Sequence, residues 1–396
     1  MKRTLIAAMA STILAGSTIV ASAEEIKIGV LLGFTGAIES LVADMGPAAE
    51  LAIKEVSDSG ALLGGTTVAA VRGDTTCTDA AVATASAERL ITAEGVKALV
   101  GGDCSGVTGA VLQNVARPNG IVMVSPSATS PGLTTAEDDG LFFRAAPSDA
   151  RQGEIVADIL MEKGIRSIAL TYTNNDYGKG ISDSIEANFK KAGGTVTIKA
   201  AHEDGKGDYS AEVGALASAG GDILVVAGYL DQGGKGIVQG SLDSGAFDTF
   251  YLPDAMVGES LPKAIGPDLN GSYGAVPGSG SEGAATFGKM AEAAGFKHGP
   301  FSGKSYDAAA LIMLAMQAAG STDSAKLKDK IFDVANAPGE KIFPGELAKG
   351  LKILADGGEI DYVGASAVEL IQPGEAAGSY RQIEIKDGAV STVGYR

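Results

Sequence analysis

The sequence predicts an α/β protein built as two doubly wound units, each with a parallel sheet. Three observations carry this reading. Short apolar runs of the kind expected for strands buried on both faces recur along the chain, as in Ile26–Leu32 and Ile223–Ala227. Helix-length segments alternate with them, bounded by turn and capping residues. The strand–helix series leaves off after Leu141–Arg144 and begins again near Ser148, which gives two units in a chain of 396 residues.

The first 23 residues stand apart from that pattern. Lys2 and Arg3 form a basic start, Leu5 to Val20 an apolar stretch, and Ala21-Ser22-Ala23 a small-residue cleavage signal. The stretch carries more Ser and Thr than a membrane anchor would, and no cysteine marks a lipid attachment site. An exported mature chain starting at Glu24 is expected; removing 23 of 396 residues leaves 373. The formal charge of −17 becomes −19 once Lys2 and Arg3 are gone, which argues against nucleic acid and anionic membrane surfaces as partners. Cys77 and Cys104 both survive cleavage, and an oxidising compartment makes one disulfide the default. With two cysteines and two histidines at no ligand spacing, neither a metal site nor a cofactor is expected.

In the first unit, strand Ile26–Leu32 leads into the loop Gly33–Ala37, and Pro47 is read as opening a helix that reaches about Asp58. Strand Val68–Arg72 and a helix from Asp79 to Thr92 follow. Next come strand Ala98–Val100, a helix from about Gly106 to Ala116, and strand Ile121–Ser125. Both of these strands end in small or hydroxylated residues, Gly101-Gly102-Asp103-Cys104-Ser105 and Ser125-Pro126-Ser127-Ala128-Thr129. In an open parallel sheet, ligands collect beyond the carboxyl ends of the strands, so this pair of turns reads as a polar cup.

The second unit has a helix from Asp149 to Lys163, strand Ser167–Tyr172, and a helix ending at Lys191. Strand Val196–Ala201, helix Ser210–Ala219, strand Ile223–Ala227 and strand Phe250–Leu252 continue the series. Past Gly271–Val276 the chain turns rich in glycine and alanine, with helices at Gly283–Ala294 and Ser305–Ala319. The end, from Tyr380 to Tyr395, reads as two strands around Asp387-Gly388, so the chain is expected to cross back between units.

Two chemistries are weighed against this cup. Gly102-Asp103-Cys104-Ser105-Gly106 mimics a nucleophile elbow, but its only candidate bases, His202 and His298, lie in no fitting context, and Cys104 has a disulfide partner. No catalytic residue is assigned. Neither a GxGxxG after the first strand nor a GxxxxGK[ST] occurs, which leaves nucleotide binding without support. Tyr177, Tyr229 and Asp254 follow strand ends in the second unit. Together with Ser105, Ser127 and Thr129 they could offer hydroxyls and N–H groups to a carboxylate and an acid to an ammonium, which suits an α-amino acid. Asp103 is either a solvated turn residue or helix cap, or a second charge in the pocket.

The ordered set EIKIGVLLGFTG, both cysteines, SPSATSP, NNDYGKG, AGYLDQGG, LPDAM and GKSYDAAALIMLAM resembles the type I periplasmic solute-binding proteins of ABC transporters. The similarity lies with the leucine/isoleucine/valine-binding branch and covers nearly the whole mature chain. It implies two Rossmann-like lobes joined by three crossovers, one made of residues 24–147 plus 278–378 and the other of 148–277 plus 379–396. It further implies a monomeric periplasmic receptor, not an enzyme, that closes on an amino acid and is recognised by an inner-membrane permease.

By motif, Cys77 and Cys104 match the family disulfide. Ser105, Ser127 through its carbonyl, and Thr129 match the first-lobe groups around the ligand's head. Tyr229 matches a hydroxyl to the carboxylate, Asp254 the acid for the ammonium, and Tyr177 and Phe301 the side-chain pocket. Leu41 stands where leucine-type members carry an aromatic wall, and Asp103 where they carry an aliphatic residue. An unpaired carboxylate facing an aliphatic side chain would be costly, so the head group is better supported than a branched tail. An amide, a urea or an aromatic acid is the alternative ligand.

Overall fold

The computed structural model describes residues 24–396; the expected leader and its cleavage after Ala23 lie outside the described residues. Among them no helix is long and apolar enough to cross a membrane.

Two seven-stranded sheets form the frame. The first contains β1 (Glu25–Leu32), β2 (Thr67–Asp74), β3 (Leu99–Gly101), β4 (Met123–Ser125) and β5 (Phe142–Arg144), all parallel, in the order β2-β1-β3-β4-β5. The second contains β6 (Ser167–Thr173), β7 (Thr195–His202), β8 (Ile223–Ala227), β9 (Phe250–Leu252) and β10 (Tyr273–Pro277), in the matching order β7-β6-β8-β9-β10. The late strands are shared out between the sheets. After a small parallel pair, β11 (Glu340–Ile342) and β12 (Ile360–Tyr362), the chain adds β13 (Leu370–Ile371) and β14 (Glu375–Ala376) to the first sheet beside β5. Finally β15 (Tyr380–Lys386) and β16 (Ala389–Tyr395) extend the second sheet antiparallel to β10. The chain therefore passes between the sheets after β5, after β10 and after β14.

Strand order reverses between β1 and β3 in one sheet and between β6 and β8 in the other. These are the topological switch points where the carboxyl ends of neighbouring strands splay apart and leave a crevice. The principal helices are α1 (Glu39–Ser59), α2 (Ala80–Glu88), α3 (Ser105–Val111), α4 (Asp149–Glu162), α5 (Asp176–Lys191), α6 (Ser210–Ala219), α7 (Gly233–Ser244), α8 (Glu282–Ala293) and α9 (Ser302–Ala319). From Ser302 to Met316 every residue of α9 is buried; Ala308–Met316 is apolar all round, while Lys304 and Asp307 are buried polar residues of its first turns. It packs along α1.

Several expectations are corrected. Pro47 does not open the first helix: α1 begins at Glu39, and Pro47 lies inside it. Only the N–H that would have bonded the Ala43 carbonyl is lost, and the buried face of Leu41, Val42, Met45, Ala49 and Ile53 holds the turn. The stretch around Gly271–Val276, to which the sequence reading assigns no element, carries a fully buried strand, β10. Helix α9 starts at Ser302, a turn earlier than Ser305.

Candidate ligand-binding site between the two sheets

The turn after β3 is fixed before any ligand arrives. Asp103 is 1% exposed, and its Oδ2 accepts from Gly33 N at 2.6 Å while Oδ1 accepts from the Thr75 hydroxyl at 2.8 Å. Burial raises its pKa, and these two bonds oppose the rise. Asp103 is thus neither a solvated turn residue nor a helix cap; it ties the loops after β1 and β2 to the end of β3. The Cys77–Cys104 disulfide makes the same connection covalently, with Cα atoms 5.2 Å apart.

The turn after β4 is held from beneath. Ser125 Oγ donates to Gly102 O at 2.6 Å, Ser127 Oγ donates to Asp103 O at 3.0 Å, and Ser130 N donates to Ser105 Oγ at 3.1 Å. The buried Arg144 guanidinium donates to the carbonyls of Ala128 (3.1 Å) and Ser130 (2.9 Å), on either side of Thr129. Glu375, from β14, meets the same guanidinium at 2.5 Å.

From the second sheet, Asn175 caps α5 through Gly178 N and places Tyr177 in its first turn. The Tyr177 ring stacks on Tyr229, which follows β8, with centroids 5.3 Å apart. Tyr177 OH donates to Asp254 Oδ1 at 2.6 Å, and Ala255 N donates to the same oxygen at 2.8 Å. Burial nevertheless pushes Asp254 up to about 6.

These groups surround one small cavity, of about 290 Å3 counting its open side. The structure brings Leu41, Asp103, Cys104, Ser105 and Ser127 to it from the first sheet's side. Tyr177, Tyr229 and Asp254 come from the second, and Phe301 from the N-terminal end of α9. Phe301 holds φ 62°, a left-handed conformation unusual for a bulky residue and often found where a site over-determines the backbone. Thr129 is the exception among the expected residues: it is buried behind the lining, and its hydroxyl makes no hydrogen bond.

Sequence reasoning missed the groups around Thr129. Asp149 is fully buried with both oxygens unbonded, and Gln152 is buried with its amide unbonded. Burial raises Asp149 well above the carboxylate range, and the neighbouring Asp254 charge raises it further. Thr129 and Arg144 lie close enough to act against that rise. In the sequence, Asp149 after Ser148 reads as an ordinary acidic first turn of a helix, which offered no signal of the pairing. A second missed feature joins the sides. Ser40 N donates to Asp231 Oδ2 at 3.0 Å, and Ser260 Oγ bridges Asp231 Oδ1 (2.9 Å) and Ser40 Oγ (3.0 Å). Ser40 belongs to α1, while Asp231 and Ser260 belong to the second unit, so the structure is a closed one.

A family model for periplasmic binding proteins matches residues 25–343. A Leu/Ile/Val-binding protein homolog from Brucella melitensis is 28% identical over 305 residues, covering 76% of this chain and 80% of that protein. The Leu/Ile/Val-binding protein of Citrobacter freundii is 29% identical over 252 residues, covering 63% and 67%. Among solved structures, a leucine-binding protein from Thermotoga maritima superposes with a TM-score of 0.79 at 22% identity, covering 93% of this chain and 98% of that one. A solute-binding protein from R. palustris in complex with benzoate gives 0.76 at 20% identity, covering 94% and 96%. The likeness to these structures concerns the fold. With its sequence match spanning most of both sheets, the chain belongs to the periplasmic binding protein family, the non-enzymatic solute-binding components of ABC transporters.

Proposed function

We propose that this chain captures a neutral α-amino acid between its two lobes and presents the closed form to its permease. The observation that carries the reading is one small cavity whose lining combines an acid and hydroxyls with apolar side chains. Asp254, Ser105 and Tyr229 face it alongside Ile38, Leu41 and Phe301. Asp254 would pair with the ammonium, together with the Ser127 carbonyl, while Ser105 and Tyr229 would bind the carboxylate. Each polar group left unpaired on closure costs about 1–3 kcal/mol, which disfavours ligands that lack one half of the zwitterion.

The Asp149–Asp254 pair supports a cationic group in the ligand over a purely anionic one such as an aromatic carboxylate. Asp103, whose oxygens are already bonded, places little demand on the ligand's side chain. On this reading residues 24–147 with 278–378 form one lobe and 148–277 with 379–396 the other, the leader is removed after Ala23, and the receptor works as a monomer.

The test is a melting panel on protein stripped of ligand by unfolding and refolding. Each amino acid is compared with benzoate, acetamide and urea. A ligand at about a hundred times its Kd adds roughly 2.7 kcal/mol, a clear shift. A rise with one or a few neutral amino acids is expected; a rise with benzoate, acetamide or urea alone would replace this reading.

A further inference from the structure

On the other side of Phe301 lies a second, larger cleft, of about 850 Å3 counting its open mouth. It sits where the chain passes between the sheets: Pro277–Ser281 line it after β10, and Arg381 lines it from the start of β15. Its chemistry is one-sided. Lys304, Arg381 and His298 line it, and no aspartate or glutamate does.

Lys304 is 4% exposed, and its ammonium makes a single hydrogen bond, to Ala145 O at 3.1 Å. An ammonium has three donors, so two remain unspent in a place where water is scarce. Burial pushes this group down to about 8. The nearby Asp307 relieves it little, because its oxygens already accept from the Tyr362 hydroxyl, Ala365 N and both the N–H and hydroxyl of Ser366. Arg381 has only a 3.3 Å bond to the Thr392 hydroxyl. Burial and the Arg381 charge lower the pKa of His298, so the ring adds a neutral polar edge at neutral pH.

Two helices aim their first turns at the same space. The 12-residue α8 contributes its cap Ser281 with Ala284 and Ala285, and the 18-residue α9 contributes Phe301, Gly303 and Lys304. The Ala284 and Ala285 N–H groups are already taken by Ser281, but the positive dipole ends of both helices still favour a negative charge there and disfavour Lys304's own. A buried lysine in the first turn of a helix is costly by itself, and an anion between it and Arg381 would offset that cost.

We propose that this cleft is a binding site for a small oxyanion, an inorganic phosphate or a small carboxylate, held between Lys304 and Arg381. Lys304 belongs to the helix packed along α1, and Arg381 to the second sheet, so a bound anion would bridge both units at their junction. The site is separate from the amino-acid cavity and does not depend on what that cavity binds.

Calorimetric titration of the exported chain, stripped of ligand and held at constant ionic strength, tests this with inorganic phosphate and acetate as separate probes. Saturable one-to-one binding of either probe is expected, with phosphate alone or acetate alone identifying the source. Affinity should fall at least tenfold in Arg381→Gln and in Lys304→Met, and stay unchanged in Lys191→Met, which removes an equal charge from the exposed end of α5. If Lys304→Met fails to fold, Arg381→Gln decides. No saturable binding of either probe would overturn the proposal, as would equal losses in Arg381→Gln and Lys191→Met, the mark of diffuse charge.

Discussion

The Tyr177 hydroxyl donates to Asp254 Oδ1 at 2.6 Å, so the acid at the centre of the cavity is held by a phenol from a different strand end. The same oxygen takes the Ala255 N–H, and the Gln152 amide lies close enough to favour the charged form. A carboxylate anchored this way through Oδ1 is pre-oriented, and little reorganisation remains to be done when a cation binds it.

Asp254→Ala should therefore abolish amino-acid binding while the fold persists. Removing one partner of a buried ion pair costs about 3–5 kcal/mol, which is a loss of two orders of magnitude or more in affinity. Titration calorimetry on refolded, ligand-free protein reads this directly. Near wild-type affinity would move the ammonium to Asp149.

The raised pKa of Asp254 gives binding and stability opposite pH dependences. Its folded value of about 6 exceeds the unfolded value of ~3.9, so the folded protein takes up the proton first. The group then costs stability above about pH 6, and the cost fades as the pH falls toward ~4. Asp254→Asn removes that cost and also relieves Asp149 of a neighbouring charge. The ligand-free variant should exceed the wild type in stability most at about pH 7.5, with the gap narrowing toward pH ~5. Ligand affinity of the wild type should instead weaken below about pH 6, with proton release on binding, because an ammonium needs the charged acid. Denaturant melts and titrations in two buffers of different ionisation heat check both halves; a gap that ignores pH would mean Asp254 stays ionised throughout.

What the sequence disclosed and what it hid have physical causes. Ile223–Ala227 and Phe250–Leu252 coincide with their observed strands because a doubly covered parallel strand is an apolar run with clear turn signals at both ends. Strand β10 was hidden because Gly274 meets the Leu252 carbonyl too closely for any side chain, so packing demanded the residue that local propensity reads as a breaker. Of the nine expected residues that meet at one cavity, seven follow strand ends, which converge in this topology, while Leu41 and Phe301 come from helix starts. Asp149, Gln152 and the Ser40–Asp231–Ser260 latch were not legible: their meaning lies in contacts between the two units, and each alone looks like a common helix-start or loop residue.

Arg144 and Glu375 form the best-buried ion pair in the structure, with side chains 1% and 12% exposed. The guanidinium also carries the carbonyls that flank Thr129, so it is a positioning residue for that turn. Glu375→Ala should leave Arg144 buried and uncompensated, at a cost of about 3–5 kcal/mol. Glu375→Gln keeps an acceptor and should lose less. Denaturant midpoints rank the two variants, and equal stability of both with the wild type would show that the carbonyls alone satisfy Arg144.

Asp103→Leu is expected to damage the fold before it alters selectivity. It strands Gly33 N and the Thr75 hydroxyl, two buried donors, at about 1–3 kcal/mol each. Asp103→Asn, which keeps acceptor oxygen for one of them, should retain more of the stability and bind the same ligand. A variant with Leu that is fully stable and prefers larger aliphatic amino acids would instead make Asp103 the selectivity residue.

The Cys77–Cys104 bond closes a loop with a sequence separation of 27 at the rim of the cavity. In the chain-entropy view its loss costs about 3.5 kcal/mol, because the unfolded chain regains the freedom the loop denied it. Replacing both cysteines with serine should lower stability by that order. The native Asp103 bonds to Gly33 and Thr75 span the same gap, however, so the folded turn should survive. Ligand affinity should then change far less than stability, and a double-serine variant that folds but no longer binds would show that the disulfide, rather than Asp103, holds Ser105 at the cavity.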